Sequence, residues 1–215
     1  GKPLVYVNFS GSAIALEREA QLCDAILQAW YPGQAGGEAI ASVLFGDYNP
    51  AGRLPVTFYK NTAQLPDFEE YSMKGRTYRY MKEEPLFPFG HGLSYSTFSY
   101  GEARLSASKM QKGTTLSLVV PVSNTSQLDG EEVVQLYLCY PEDKEGPVKA
   151  LRAFKRVAIG KGATQEVKFD LCEEDFEWFD PSTNSMRPRS GEYEILYGGT
   201  SIAGGLKKVK VMCEF

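Results

Sequence analysis

The second half of the chain reads in steps of two. In TLSLVVPVSN (residues 115–124), Leu116, Leu118, Val120 and Val122 fall on one face. That period belongs to a half-buried strand and to no helix. The pattern returns in EEVVQLYLCY (131–140), VKALRAFKRVAI (148–159), TQEVKFDL (164–171), GEYEILYGG (191–199) and LKKVKVMCEF (206–215). Turn signals such as GKGA at 160–163 separate these runs. A chain patterned in this way must bury one face of a sheet against another.

About seven strands within about a hundred residues point to a β-sandwich of immunoglobulin or fibronectin type. The first part differs. Composition changes near residue 100, and before it Gly and Pro fall in irregular clusters. LVYVNF (4–9) reads as a strand already in progress, which suggests a piece of something larger. AILQAW (25–30) is short enough for a buried strand, yet Leu22, Ile26 and Trp30 keep a helical spacing. GEAIASVLFG (37–46) reads as a helix with Gly46 as its stop. RLPVTF (53–58) reads as a strand, with Pro55 placing it at an edge or an irregular position. Residues 59–89 form a long, aromatic-rich connection, a length usually functional or interfacial.

Of the 215 residues, 43% are hydrophobic, enough for a packed core, and the net charge is −4. No basic cluster favours nucleic acid, and no apolar run approaches a membrane span. The start is not patterned as a signal peptide. Four cysteines lie at 23, 139, 172 and 213 without a C-x-x-C pair, so no zinc or redox motif is supported. Free, mostly buried thiols are expected.

The only histidine, His91, lies in FPFGHGLSYS, three residues before Ser94. A nucleophile elbow needs G-x-S-x-G between strand and helix. Here Ser96 stands where the second Gly should be, and an extended stretch follows. His91 is therefore read as a packed, hydrogen-bonded turn residue. Glycoside hydrolysis needs two carboxylates across the scissile bond. Glu38, Asp47, Asp67, Glu69, Glu70, Glu83 and Glu84 are available, but none is set in a recognisable pair. The acidic run CEEDFEWFD (172–180) is read as a solvated face. Trp30, Tyr31, Tyr71, Tyr78 and Tyr80 could stack on sugars or fill space between domains, and packing is favoured. Of two N-x-S sequons, at Asn8 and Asn124, Asn8 is discounted because it lies in a buried strand.

Three segments carry a resemblance: AWYPGQAGGEAIASVLFGDYNPAGRLPVTF (29–58), YSMKGRTYRY (71–80) and PLFPFGHGLSYSTFSY (85–100). In this order they resemble the C-terminal portion of glycoside hydrolase family 3, which contains β-glucosidases and β-xylosidases. LRAFKRVAIGKGATQEVKFDL (151–171) is similar to that family's fibronectin type III-like domain. The resemblance implies a partial α/β sandwich at residues 1–60, a linker and junction loop at 61–94, and a fibronectin-like β-sandwich at 95–215. It makes AILQAWY a strand.

The resemblance also implies a retaining mechanism. An Asp nucleophile comes from an N-terminal barrel and a Glu acid/base from the sandwich. No position here matches either motif, so no catalytic residue is carried over, and no metal or cofactor is expected. Tyr71 and Arg76 are the candidates for contact with the sugar at the active-site rim, with interdomain packing as the competing reading. The expected partners are the barrel, the rest of the sandwich, a saccharide substrate met through the complete enzyme, and another copy through an exposed sheet edge. The parent is expected to be periplasmic or secreted. For this chain by itself the role favoured is a scaffold and active-site rim. The alternative is a non-catalytic carbohydrate-binding or protein-interaction β-sandwich, with Trp178 and Phe179 as its main surface aromatics.

Overall fold

The computed structural model describes all 215 residues. Strand β1 (Val5–Asn8) and β2 (Ala25–Gln28) pair in parallel, with Val5 opposite Ala25 and Asn8 opposite Gln28. Helix α1 (Glu17–Leu22) joins them. The stretch left between helix and strand is thus a strand. Helix α2 (Gly36–Phe45) ends on Gly46, whose φ of 85° is the left-handed conformation that closes a helix without a Cβ penalty.

The expected strand at 53–58 does not form. It is reduced to one bridge between Phe58 and Phe87. Pro55 cannot donate to a ladder, and the neighbouring backbone is engaged elsewhere. Leu54 donates to the His91 carbonyl at 2.8 Å and accepts from Gly90 at 2.7 Å. The segment pairs with a turn instead of a strand. Within residues 59–89 the chain forms a 3-10 turn at Thr62–Gln64 and one short helix, α3 (Thr77–Tyr80).

The remainder is β-sandwich. One sheet centres on β6 (Leu116–Asn124), with β3 (Phe98–Tyr100) and β4 (Arg104–Leu105) following one another along one edge. β9 (Thr164–Leu171) pairs along the other. The second sheet runs in the order β5 (Lys109–Gln111), β13 (Lys207–Glu214), β12 (Gly191–Gly198), β7 (Gly130–Cys139), β8 (Ala150–Ile159). Only the β5–β13 pair is parallel within it. A hairpin of β10 (Glu177–Asp180) and β11 (Ser185–Pro188) lies outside both sheets. The strands are more numerous than the periodicity suggested because β5, β10 and β11 are too short to show a period and because the edge of β6 is broken. Pro121 sits at that break. Its carbonyl accepts from Gly101, so its missing N–H faces the gap between β3 and β4.

The sequence period becomes burial on β6, where Leu116, Leu118, Val120 and Val122 are all buried. They face Val134, Leu136, Leu138, Ile195 and Tyr197 in one core. The acidic run is solvated only in part, since two of its aromatics turn inward. Phe176 and Trp178 close the core against Tyr193, with Phe176 edge-on to that ring at 5.2 Å. β7 departs from alternation, since Gln135 and Tyr137 are buried along with their neighbours. The outer face of this strand is covered by the long connection. Tyr78 stacks on Phe89 at 4.4 Å and meets Tyr137 edge-on at 5.7 Å.

The face around β1, β2 and α2 is different. Leu4, Phe9, Leu22 and Leu44 are exposed there, and Phe45 is 85% exposed. Exposed large apolar groups gathered on one face mark an interaction surface.

Leu138 is fully enclosed between the sheets. Leu138→Ala should cost about 2–5 kcal/mol, the range for a large-to-small core change. Urea unfolding followed by fluorescence will measure it.

Candidate functional site

The stretch around His91 is where the two parts of the chain lock together. Arg53 leaves the α/β part and ends on Glu132 of β7. One terminal nitrogen meets both carboxylate oxygens at 3.1 Å. The two side chains are only 8% and 5% exposed. The other terminal nitrogen donates to the carbonyls of Ala51 and Gly52 at 3.2 and 3.1 Å. Glu132 also accepts from the backbone N–H of Val133 at 2.9 Å. A buried pair needs its remaining hydrogen-bonding capacity met. Here the terminal nitrogens and the carboxylate are satisfied and Arg53 Nε has no partner.

Two glycines make the approach possible. At Gly92 a Cβ would stand 2.1 Å from the Gly52 carbonyl oxygen. At Gly90, with φ 77°, it would stand 2.0 Å from Gln135 Oε1. That glutamine donates to the Gly90 carbonyl at 3.2 Å and to the Gly199 carbonyl at 2.7 Å, and accepts from the Tyr137 hydroxyl at 2.5 Å. Beside it, Asn49 holds Ser94 and Ser96. Its Oδ1 accepts from Ser94 Oγ and from the Tyr95 N–H, both at 2.8 Å, and its Nδ2 donates to Ser96 Oγ at 2.9 Å.

No Ser–His pair exists. Ser94 is engaged by Asn49, whereas the His91 ring stacks on Phe87 at 5.3 Å and makes no side-chain hydrogen bond. The expected hydrogen-bonded histidine is a stacked one. Burial, and then the Arg53 charge, hold its pKa below the usual 6.5. A neutral ring in an aromatic stack beside a cation is architecture.

The carboxylates named from sequence do not gather. Glu38, Asp47, Asp67, Glu69, Glu70, Glu83 and Glu84 are all exposed. Hydrogen bonds from Ser72 hold the Glu70 carboxyl below its ordinary value, the opposite of what a general acid needs. No cluster of three His, Cys, Asp or Glu side chains could hold a metal ion. The cysteines are free. Only Cys213 is buried, where burial pushes its thiol up to about 12. Cys172 is exposed, against the expectation, and a hydrogen bond to Glu174, then desolvation and a hydrogen bond to Asp175, push it up to about 11. Both sequon asparagines are buried. Asn124 donates to the carbonyls of Leu128 and Ile159, so it joins Asn8 as a structural residue.

Tyr71 and Arg76 occupy the same loop but do different things. Arg76 donates to the carbonyls of Ser72, Asp67 and Glu70. Its guanidinium holds the loop in shape and is not held out to solvent. Tyr71 projects from that loop, 89% exposed, with Phe68 beside it at 92%. Sequence reasoning missed Arg53, Glu132, Asn49 and Gln135. Arg53 and Glu132 are 79 residues apart, and no local pattern joins them.

The architecture defines a two-part protein, an α/β unit with a parallel strand pair locked onto a fibronectin-like β-sandwich. Family models match both parts. The "Glycosyl hydrolase family 3 C-terminal domain" matches residues 1–95 and the "Fibronectin type III-like domain" residues 132–201. The chain belongs to glycoside hydrolase family 3, as its C-terminal portion. It is similar to a xylan 1,4-beta-xylosidase of Xylanibacter ruminicola, 54% identical over 98% of this chain and 24% of the relative. It is also similar to a periplasmic beta-glucosidase of Salmonella typhimurium, 36% identical over 91% of this chain and 29% of the relative. Among solved structures, a beta-glucosidase from Listeria innocua in complex with isofagomine superposes with a TM-score of 0.84. It is 30% identical, covering 99% of this chain and 31% of that one. The chain thus spans about a quarter to a third of the length of the relatives it matches.

Removing one partner of the buried pair, as in Arg53→Met or Glu132→Leu, should cost about 3–5 kcal/mol. Removing both should cost less than either, which a double-mutant cycle by denaturant unfolding will read. His91 adds a pH dependence. Its pKa is lower folded than unfolded, so its contribution is full above about 6.5. It is lost as pH falls from there towards the folded value. His91→Gln should flatten that part of the stability–pH curve in thermal melts.

Proposed function

We propose that this chain is the C-terminal scaffold and active-site rim of a retaining β-glycosidase that releases terminal glucose or xylose. The observation that carries the reading is the 54% identity, over nearly the whole chain, to a protein named as a xylan 1,4-beta-xylosidase. Retention needs two carboxyl groups about 5–5.5 Å apart, one as nucleophile and one as acid then base. This chain offers no such pair, so both belong to the remaining length of the protein. Residues 1–60 form the end of an α/β sandwich, 61–94 the linker and junction loop, and 95–215 the fibronectin-like domain.

In this reading Tyr71 is a rim contact for the sugar, supported by its exposure on an ordered loop. Arg76 is a positioning residue that keeps the loop in shape. The exposed face around Phe45 is covered by the rest of the α/β sandwich. A parent that is periplasmic or secreted is supported by the relative named periplasmic. No helix is long and apolar enough to cross a membrane.

The pure chain should not hydrolyse nitrophenyl β-glucoside or β-xyloside, and measurable turnover would sink the reading. In the complete enzyme, Tyr71→Ala should raise KM several-fold with little change in kcat. Light scattering after size exclusion should show concentration-dependent association of this chain alone, abolished when the N-terminal portion is present.

A further inference from the structure

Away from the junction, a cleft of about 570 Å³ opens between α3, the β7–β8 loop and the β10–β11 hairpin. That lies within the roughly 300–1,000 Å³ of small-molecule sites. Its charged lining is Arg79, Arg152, Arg189, Asp143, Glu145 and Glu177. Arg189 and Asp143 answer each other at 2.8 Å. The other two arginines are not answered. Neither takes part in any ion pair of the chain.

Arg152 donates once, to the Glu177 carbonyl at 2.6 Å, and lies over the Trp178 ring at 5.1 Å. Arg79 makes no side-chain hydrogen bond and lies over the Tyr80 ring at 5.7 Å. Two buried donors at this cleft have no acceptor, Arg79 Nε and Arg152 Nε. The Trp178 indole N–H is directed at the Tyr193 hydroxyl. Trp178 is only 3% exposed. Buried donors are nearly always satisfied, so two on neighbouring arginines need an explanation. Burial, and then the Arg79 charge, hold the Arg152 pKa below its ordinary value. Asp175 attracts Arg152, but its carboxylate is engaged by the Cys172 N–H at 2.9 Å.

We propose that this cleft binds a saccharide that carries a carboxylate, a hexuronic acid in its simplest form. A carboxylate matches the planar fork of a guanidinium and neutralises two adjacent ones. Glu145 and Glu177 accept from sugar hydroxyls, and the exposed Phe179 and Met186 with Tyr80 receive the apolar ring face. The choice of a saccharide among carboxylates rests on the glycosidase reading; the arginine chemistry does not. Trp178, a candidate platform by sequence, is a buried wall, and Phe179 takes the exposed role.

The test is titration of the 215-residue chain with glucuronic acid, glucose and acetate. Calorimetry is read alongside the two indole N–H signals, assigned with Trp30→Phe. Glucuronic acid should saturate and shift the Trp178 signal, with glucose and acetate at least tenfold weaker. Arg79→Gln should weaken glucuronic acid tenfold or more with an unchanged melting curve. Arg152→Lys provides a second variant of milder change. Equal binding of glucose overturns the carboxylate, and equal binding of acetate overturns the saccharide. Absence of saturation, or binding lost when the N-terminal portion is present, overturns the site. Hydrolysis of neutral nitrophenyl glycosides by the complete enzyme should be unchanged in Arg79→Gln, so the two readings can fail separately.

Discussion

Arg53 and Glu132 are buried together where the α/β part meets the β-sandwich, and the junction is built around them. Two charges taken out of water carry a desolvation cost that attraction alone does not reliably offset. Here part of the cost is offset by acceptors at Ala51 and Gly52 and a donor at Val133, with Arg53 Nε left without a partner. Residues 51–54 lie against the 88–92 turn, where the Leu54 backbone bonds His91 and Gly90. That approach requires no side chain at Gly92, which faces the Gly52 carbonyl, and the turn's seat on Gln135 requires none at Gly90. Gln135 ties that turn, and Asn49 ties the residues just after it, Ser94 to Ser96. The two parts are therefore held in one orientation by a dense polar seam, and the aromatic packing of Phe58, Phe87 and His91 seals it.

The long connection inherits its shape from that seam. It leaves the junction at Phe58, passes through the loop shaped by Arg76, and returns at Phe87. On its way Tyr78 lays its ring on Phe89 and its hydroxyl accepts from the Leu151 N–H at 3.1 Å. Thr77 adopts a φ of 57° to bring this about, a conformation unfavourable for a β-branched residue. Its N–H is satisfied by the Tyr59 hydroxyl at 3.1 Å. A connection anchored at both ends and along its middle can present Tyr71 at a defined place.

Some of this was legible in the chain before it folded. The period of two placed Leu116, Leu118, Val120 and Val122 on one face because a strand allows no other arrangement. Gly46 ended its helix as written. Elsewhere local signals misled. RLPVTF has the composition of a strand, but Leu54 found its partners in a turn. CEEDFEWFD looks solvated by charge count, yet Phe176 and Trp178 turn inward while the acids turn out. Gln135 and Tyr137 sit on the polar phase of a strand and are buried because a distant segment covers them.

By itself the sequence determined two things: the alternation that makes a β-sandwich, and the segments that carry the family resemblance. Both are local, since a strand's faces and a motif's order need only neighbouring residues. Tertiary structure alone decided which charges meet, that His91 stacks instead of bonding, and that Arg79 and Arg152 stand unanswered at one cleft. Those facts depend on side chains brought together from far apart in the chain. No spacing rule spans such a distance, because the closing geometry comes from the packed sheets and not from the residues between.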